Sequence, residues 1–287
     1  MIILRFFSYL PFWLFYLIID LVVFVLSKVL RYRKAIITEN LKKSFPNKSE
    51  AEITQLRNEF YVNFCDTFLE TLKILTISKA ELNKRVTFKN IELVNQYLQN
   101  GKGVIAMMGH NANWELAAVA LKLHLKNEVD CIYKPVTSQF FDKYMIAVRS
   151  HFGNNLLTMQ EAPKQIISKK EEARLIITVA DQTPMKHQIT YWGEFLNQKT
   201  SFYTGSARMA YLTNYAVLFM KVIRQKRGFY EVTFELISEK VQEKNDLSII
   251  DIFRKKLDQQ INQYPSDWLW SHRRWKHQPD LNEVVRA

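Results

Sequence analysis

The sequence predicts an α/β fold, a central mixed sheet flanked by helices, with a hydrophobic membrane-anchoring helix at the N-terminus. Three observations carry that prediction. From residue 100 onward, short apolar runs alternate with stretches of helical period, the pattern of strands joined to helices in layers. Leu247 to Gln263 forms a long amphipathic helix after the last apolar runs. Phe6 to Ser27 is almost wholly apolar or aromatic, broken by Pro11 and Asp20, and is about the ~20 residues that a bilayer core requires.

The elements follow in order. The first segment lacks a basic start and a small-residue cleavage site, so it does not read as a removed signal peptide. Lys28, Arg31, Arg33 and Lys34 follow it, and the positive-inside rule places that flank and the rest of the chain in the cytoplasm. Pro11 and Asp20 leave two arrangements open, a single span or a helix lying in the interface. Residues 35–80 read as helices. Ser49 is an N-cap for a helix near 50–75, in which Leu56, Phe60, Phe64 and Phe68 form a stripe expected to face the core. Gly103 to Met108 and Val129 to Tyr133 read as strands around a helix from Trp114 to Leu125. Phe140 to Phe152 and Pro163 to Lys170 read as helices, Arg174 to Ala180 as an apolar run ending at Asp181, and Ser206 to Thr213 as a helix. Tyr215 to Ile223 and Phe229 to Ile237 are strands joined by a basic turn, Arg224 to Gly228. In such sheets chemistry collects in the loops beyond strand ends.

With 48% hydrophobic residues and 7 each of Gly and Pro, the 287-residue chain is globular, neither disordered nor fibrous. Its net charge of +12 calls for an acidic partner: nucleic acid, anionic lipid or an acidic carrier protein. Cys65 and Cys131 show no metal or redox spacing and read as buried thiols in a reducing compartment. His110, His124, His151, His187, His272 and His277 form no ligand-spaced cluster with acids, so no metal is expected, and no Gly-rich phosphate loop is present.

The chemistry concentrates in Gly109-His110-Asn111-Ala112-Asn113-Trp114-Glu115, after a strand and before a helix. On one straight helix, residues five apart do not share a face. With His110 in the loop and Glu115 in the first helical turn, the two can meet. A carboxylate on one imidazole nitrogen fixes the tautomer and raises basicity at the other, so the histidine can take a proton from an alcohol attacking an ester or thioester.

Six ordered motifs then resemble the lipid A biosynthesis (lauroyl/myristoyl) acyltransferase family, within the wider His-x4-Asp/Glu glycerolipid and lysophospholipid acyltransferase group. They are Asn40-Leu41 with Ser44-Phe45-Pro46; Gly109-His110 with Asn113-Trp114-Glu115; and Tyr133-Lys134-Pro135 followed by Asp142 and Arg149. Asp181-Gln182-Thr183-Pro184, Gly205-Ser206-Ala207-Arg208, and Trp270 to Lys276 with Pro279 complete the set. The resemblance covers nearly the whole chain. The sequence departs from the pattern at Asn111-Ala112, where an aromatic and a glycine are common, at Lys134, where arginine is usual, and in the polar stretch Glu194 to Lys199.

The resemblance implies residues 1–32 as membrane anchor and 33–287 as catalytic domain, at the cytoplasmic face of the inner membrane. It implies His110 as general base oriented by Glu115, an acyl thioester on acyl carrier protein as donor, a lipid A precursor hydroxyl as acceptor, and no cofactor. Arg149 is the candidate for binding the oxyanion or an acceptor phosphate, with Lys134 in the same block; the plain alternative for Arg149 is a solvated helix arginine. Asp181 ends a strand, where polar residues line sites, and Asn113 holds the His110 loop. Ser206 and Arg208 open a helix whose N-terminus could bind an anion or serve as an ordinary cap. Arg273 and Arg274, among Trp270 and Trp275, suit lipid or glycolipid phosphates, the alternative being a solvated tail with its tryptophans in the core. A lysophospholipid, aminolipid or phosphoglycolipid acceptor would use the same pair. A basic nucleic-acid-binding protein is the rival from another class, against which the apolar N-terminus stands, and a catalytically dead scaffold is a third reading, opposed by the intact His110/Glu115 pair.

Overall fold

A computed structural model describes residues 2–279; Met1 and the final stretch of the catalytic segment, drawn to residue 287, lie outside the described residues. The apolar N-terminus is two helices, α1 (Ile2–Ser8) and α2 (Phe12–Phe24), with α2 continued by a π-helical turn over Val25–Val29. Pro11 sits between them in extended conformation, as the N-cap of α2. Helices α3 (Lys34–Ser44), α4 (Glu50–Lys73) and α5 (Lys79–Arg85) follow. The Ser49 cap of α4 is a reciprocal capping box: Ser49 Oγ accepts from the Glu52 N–H, and the Glu52 carboxylate accepts from the Ser49 N–H.

The α/β region runs β1 (Val86–Phe88), α6 (Ile91–Gln99), β2 (Val104–Met108), α7 (Trp114–Leu121), β3 (Val129–Tyr133), α8 (Gln139–Arg149), β4 (Asn155–Thr158), α9 (Ala162–Ser168) and β5 (Leu175–Val179). It closes with β6 (Trp192–Phe195), β7 (Gln198–Ser201), α10 (Gly205–Thr213), β8 (Ala216–Lys226), β9 (Phe229–Ser238) and α11 (Ser248–Gln263). Seven strands form one mixed sheet in the order β1-β9-β8-β2-β5-β3-β4, antiparallel between β8 and β9 and parallel elsewhere. β6 and β7 form a separate hairpin.

The sheet divides the core. Ile105, Met107, Ile176, Val217 and Phe219 face one side, where α11 lays down Ile249, Phe253, Leu257 and Ile261 at helical spacing. Val104, Ala106, Met108, Leu175, Ile177 and Leu218 face the other, against α7. β2 is buried at every position, which is why it reads as an unbroken apolar run rather than an alternating one.

Several sequence expectations shift. The turn expected from Arg224 to Gly228 is tighter: Lys226 pairs with Phe229, leaving only Arg227 and Gly228 in the turn, with Gly228 at φ 76°. Arg224 thus belongs to a strand. The short strands β1 and β4 and the β6–β7 hairpin carry weak apolar signals; the hairpin turns on Leu196 and Asn197, both at positive φ, without the glycine that usually marks such a turn.

Phe253 is fully buried and packs edge-on against Phe202 and Phe219. Phe253→Ala should cost about 3–5 kcal/mol of stability, measurable as a lower midpoint in denaturant unfolding.

Candidate active site

The sheet register builds the site. β2 and β5 are parallel neighbours, with Met108 opposite Val179. Two residues beyond each, the chains leave the sheet edge at His110 and Asp181. The pairing persists past the strand ends, since the Ala180 N–H donates to the Met108 carbonyl at 3.0 Å. Gly109 permits this close approach. A Cβ there would meet Asn111 Oδ1 and Leu257 Cδ1 at 2.6 Å and Asp181 Oδ2 at 3.2 Å.

His110 Nδ1 donates to Asp181 Oδ1 at 2.5 Å, and the His110 backbone N–H donates to Asp181 Oδ2 at 2.9 Å. The Trp268 indole N–H donates to the same Oδ2 at 2.7 Å. Asp181 is only 2% exposed. Burial pushes its carboxyl up, but the His110 ring, the His110 N–H and the Trp268 indole together hold it well below the usual carboxylate range. An ionised carboxylate only accepts, so the proton between the two groups resides on Nδ1 and Nε2 keeps its lone pair. The Gln182 amide lies 3.3 Å from that Nε2.

The contact that the spacing assigned to Glu115 is therefore made by Asp181. Glu115, buried in the first turn of α7, turns to α8: Arg149 Nε donates to Oε2 at 2.9 Å and Nη2 to Oε1 at 2.5 Å. Burial alone would raise the Glu115 carboxyl; this two-pronged ion pair, helped by His110 and the Trp114 indole, lowers it. Glu115 lies within electrostatic reach of His110 and bonds elsewhere. Arg149, expected to meet an oxyanion or phosphate, spends its fork on Glu115 and lies over the Tyr133 ring.

The loop carrying His110 is clamped from two sides. The Ala112 N–H donates to the Asp267 carbonyl, and the Ala112 carbonyl accepts from Thr67 Oγ1. Ala112 is held at φ 50°, where glycine would sit without strain. Asn113, expected to hold the His110 loop, caps α7: its Oδ1 accepts from the Leu116 N–H at 3.0 Å, and its Nδ2 donates to buried Glu70 at 2.8 Å.

The other expected residues scatter. Lys134 is exposed beyond β3, Arg208 is exposed on α10, and Ser206 is buried in the first turn of that helix. Arg273 is exposed, but Arg274 is 1% exposed and is no headgroup ligand. Its guanidinium donates to the Ser201 carbonyl and lies over the Phe202 ring, and burial pulls it down to about 10. Trp268 and Trp270 are likewise buried in the core.

One expectation about α4 also changes. Phe60 is buried, but all three phenylalanines line a small cleft with Trp114, Trp268 and Leu269, and Phe68 is exposed. The Trp114 ring, which lines the cleft, also stands edge-on to His110 with centroids 4.9 Å apart. Spacing alone could not separate a stripe that packs inward from one that half lines a cleft. Trp268, Gln182 and Thr67 join the site without a signal in their spacing from His110.

Asp181→Asn presents an amide N–H to Nδ1 and forces the proton onto Nε2. Activity should fall by about 10²–10⁴-fold. The depressed Asp181 makes its stabilising contribution above the ordinary value of 3.8 and loses it as pH falls through the lower folded value. The stability gap between wild type and Asp181→Asn, read from melting curves, should be present at neutral pH and close only in acid below about 4.

Among curated proteins, a lipid A biosynthesis acyltransferase of Haemophilus influenzae (strain ATCC 51907 / DSM 11121 / KW20 / Rd) is 23% identical over 180 residues, which is 62% of this chain and 56% of the relative. The alignment thus spans little more than half the length of that relative. A family model for the bacterial lipid A biosynthesis acyltransferases matches residues 1–277, so the chain belongs to that family.

Proposed function

We propose that the protein transfers a fatty acyl chain from an acyl carrier protein thioester to a hydroxyl of a lipid A precursor at the cytoplasmic face of the inner membrane, with His110 as general base. The observation that carries this reading is the His110–Asp181 pair, which puts the ring proton on Nδ1 and leaves Nε2, near the Gln182 amide, as the basic nitrogen. In that geometry Nε2 takes the proton of the acceptor hydroxyl as its oxygen attacks the thioester carbonyl. Asp181 holds the ring and balances the imidazolium charge. Collapse of the tetrahedral intermediate expels the carrier thiolate, which recovers the proton from His110. A thioester already carries the activation for transfer, so the residues need only position, deprotonate and stabilise charge.

Glu115 and Arg149 support this arrangement as a neutral, buried pair that fixes α7 against α8. The aromatic wall of Phe64, Phe68 and Trp114 offers an apolar surface for the acyl chain, and Trp114 also packs against His110. The net charge of +12 suits an acidic carrier, whose docking would be steered electrostatically. Residues 1–32 serve as the membrane attachment and 33–287 as the catalytic domain.

The reading is tested by mass spectrometry of membrane lipids from cells carrying the wild-type gene, a deletion, or His110→Ala. A lipid A species lacking one acyl chain in both the deletion and the variant is the expected result, and the mass gap gives the chain length. Unchanged lipid A with an acyl group missing from another lipid would reassign the acceptor; full turnover by His110→Ala would end the mechanism. Phe68 is 44% exposed, so Phe68→Trp should fold normally, narrow the cleft and shift the transferred chains toward shorter lengths in the same spectra.

A further inference from the structure

We propose that α2 lies in the plane of one leaflet, against anionic headgroups, and does not cross the bilayer. This rests on the membrane attachment proposed above but not on the chemistry of the site. Length leaves both arrangements open. Phe12–Val29 is 18 residues, roughly 27 Å of helix, close to a hydrocarbon core.

The side contacts decide it. One face of this segment is tied to the catalytic domain along its whole length. At its start, the Arg85 guanidinium lies 3.2 Å from the Phe12 ring centroid, and Tyr16 donates to Glu70 at 2.9 Å. Phe15 and Ile19 are buried against Cys65. At the far end, Tyr32 stacks on Phe64 and its carbonyl accepts from Tyr61, while Arg33 donates to the Ser271 carbonyl. The preceding turn is also fixed, because Lys73 Nζ donates to the carbonyls of Ser8 and Leu10.

The middle of the helix carries an ion-paired cluster. Arg227 Nη2 donates to Asp20 at 2.7 Å and to Asp66 at 2.8 Å. In a crossing helix these three charges would stand at the bilayer midplane, with Asp20 half exposed to hydrocarbon, the costliest depth for a charge. With α2 in the interface, the cluster stays on the protein side.

The opposite face fits a membrane surface. Trp13, Leu17, Leu21 and Phe24 form one exposed stripe at spacings of four, four and three residues, and Phe6, Phe7 and Tyr9 of the α1 region are exposed as well. Exposed basic residues flank both ends: Arg5 before α2, and Lys28, Arg31 and Lys34 after it. Cations at both ends match an anionic surface that both ends touch.

The experiment places single cysteines at the two ends, Arg5→Cys and Lys28→Cys, and labels each with a membrane-impermeant maleimide in right-side-out spheroplasts and in inverted vesicles. The native thiols give no background: Cys65 and Cys131 are buried, and burial pushes both up to about 12. The expected result is labelling at both positions in inverted vesicles and at neither in spheroplasts. Labelling of Arg5→Cys from outside the spheroplasts, with Lys28→Cys labelled only in inverted vesicles, would show a crossing helix and overturn the proposal, as would recovery of the protein outside the membrane fraction. Lipid spectra of the wild-type and deletion strains report the chemistry separately, so one-sided labelling with lipids unchanged by the deletion would sink the acyl-transfer reading and leave the topology standing.

Discussion

The bond between His110 Nδ1 and Asp181 depends on the parallel pairing of β2 with β5, and the rest of the site is arranged around keeping that pairing and its carboxylate in place. Both strands are buried on two faces, so their register is fixed by the core on each side. A one-residue slip would turn apolar side chains to the wrong layer and separate histidine from aspartate at once. The geometry of the His110–Asp181 pair thus inherits its precision from the hydrophobic packing of the sheet centre.

An ionised carboxylate at 2% exposure needs several donors to stay charged, and it has three: the imidazole, the His110 N–H and the Trp268 indole. The last comes from the segment after α11, whose Asp267 carbonyl also holds the Ala112 N–H. The C-terminal stretch is therefore part of the site. Its tryptophans and Arg274 are interior struts, and the dense run of basic and aromatic residues in the sequence splits into buried and exposed members.

A second polar cluster ties the site to the N-terminus. Glu70 is buried and its carboxyl is pushed up by that burial; it accepts from Asn113, which caps α7, and from Tyr230 and Tyr16. Tyr16 belongs to α2, so the apolar N-terminal helix and the helix carrying Glu115 meet on one carboxyl group. Docking of α2 and the shape of the His110 loop share a common support.

The sequence by itself determined the layered α/β class, most helices and central strands, and the placing of His110 in a loop between a strand and a helix, because these rest on local periodicity, capping and a strand–loop–helix junction. Ser49 as a cap and Val129 to Tyr133 as a strand are properties of a few consecutive residues. The partner of His110 could not be read that way. Glu115 is close along the chain, but α7 turns it toward Arg149; Asp181 is 71 residues away and arrives through strand register. The same holds for Arg274, Trp268 and the cleft on α4: whether a side chain is buried, and against what, depends on elements far apart in sequence. Local spacing named the chemistry available to the chain, and only the tertiary packing decided which groups meet.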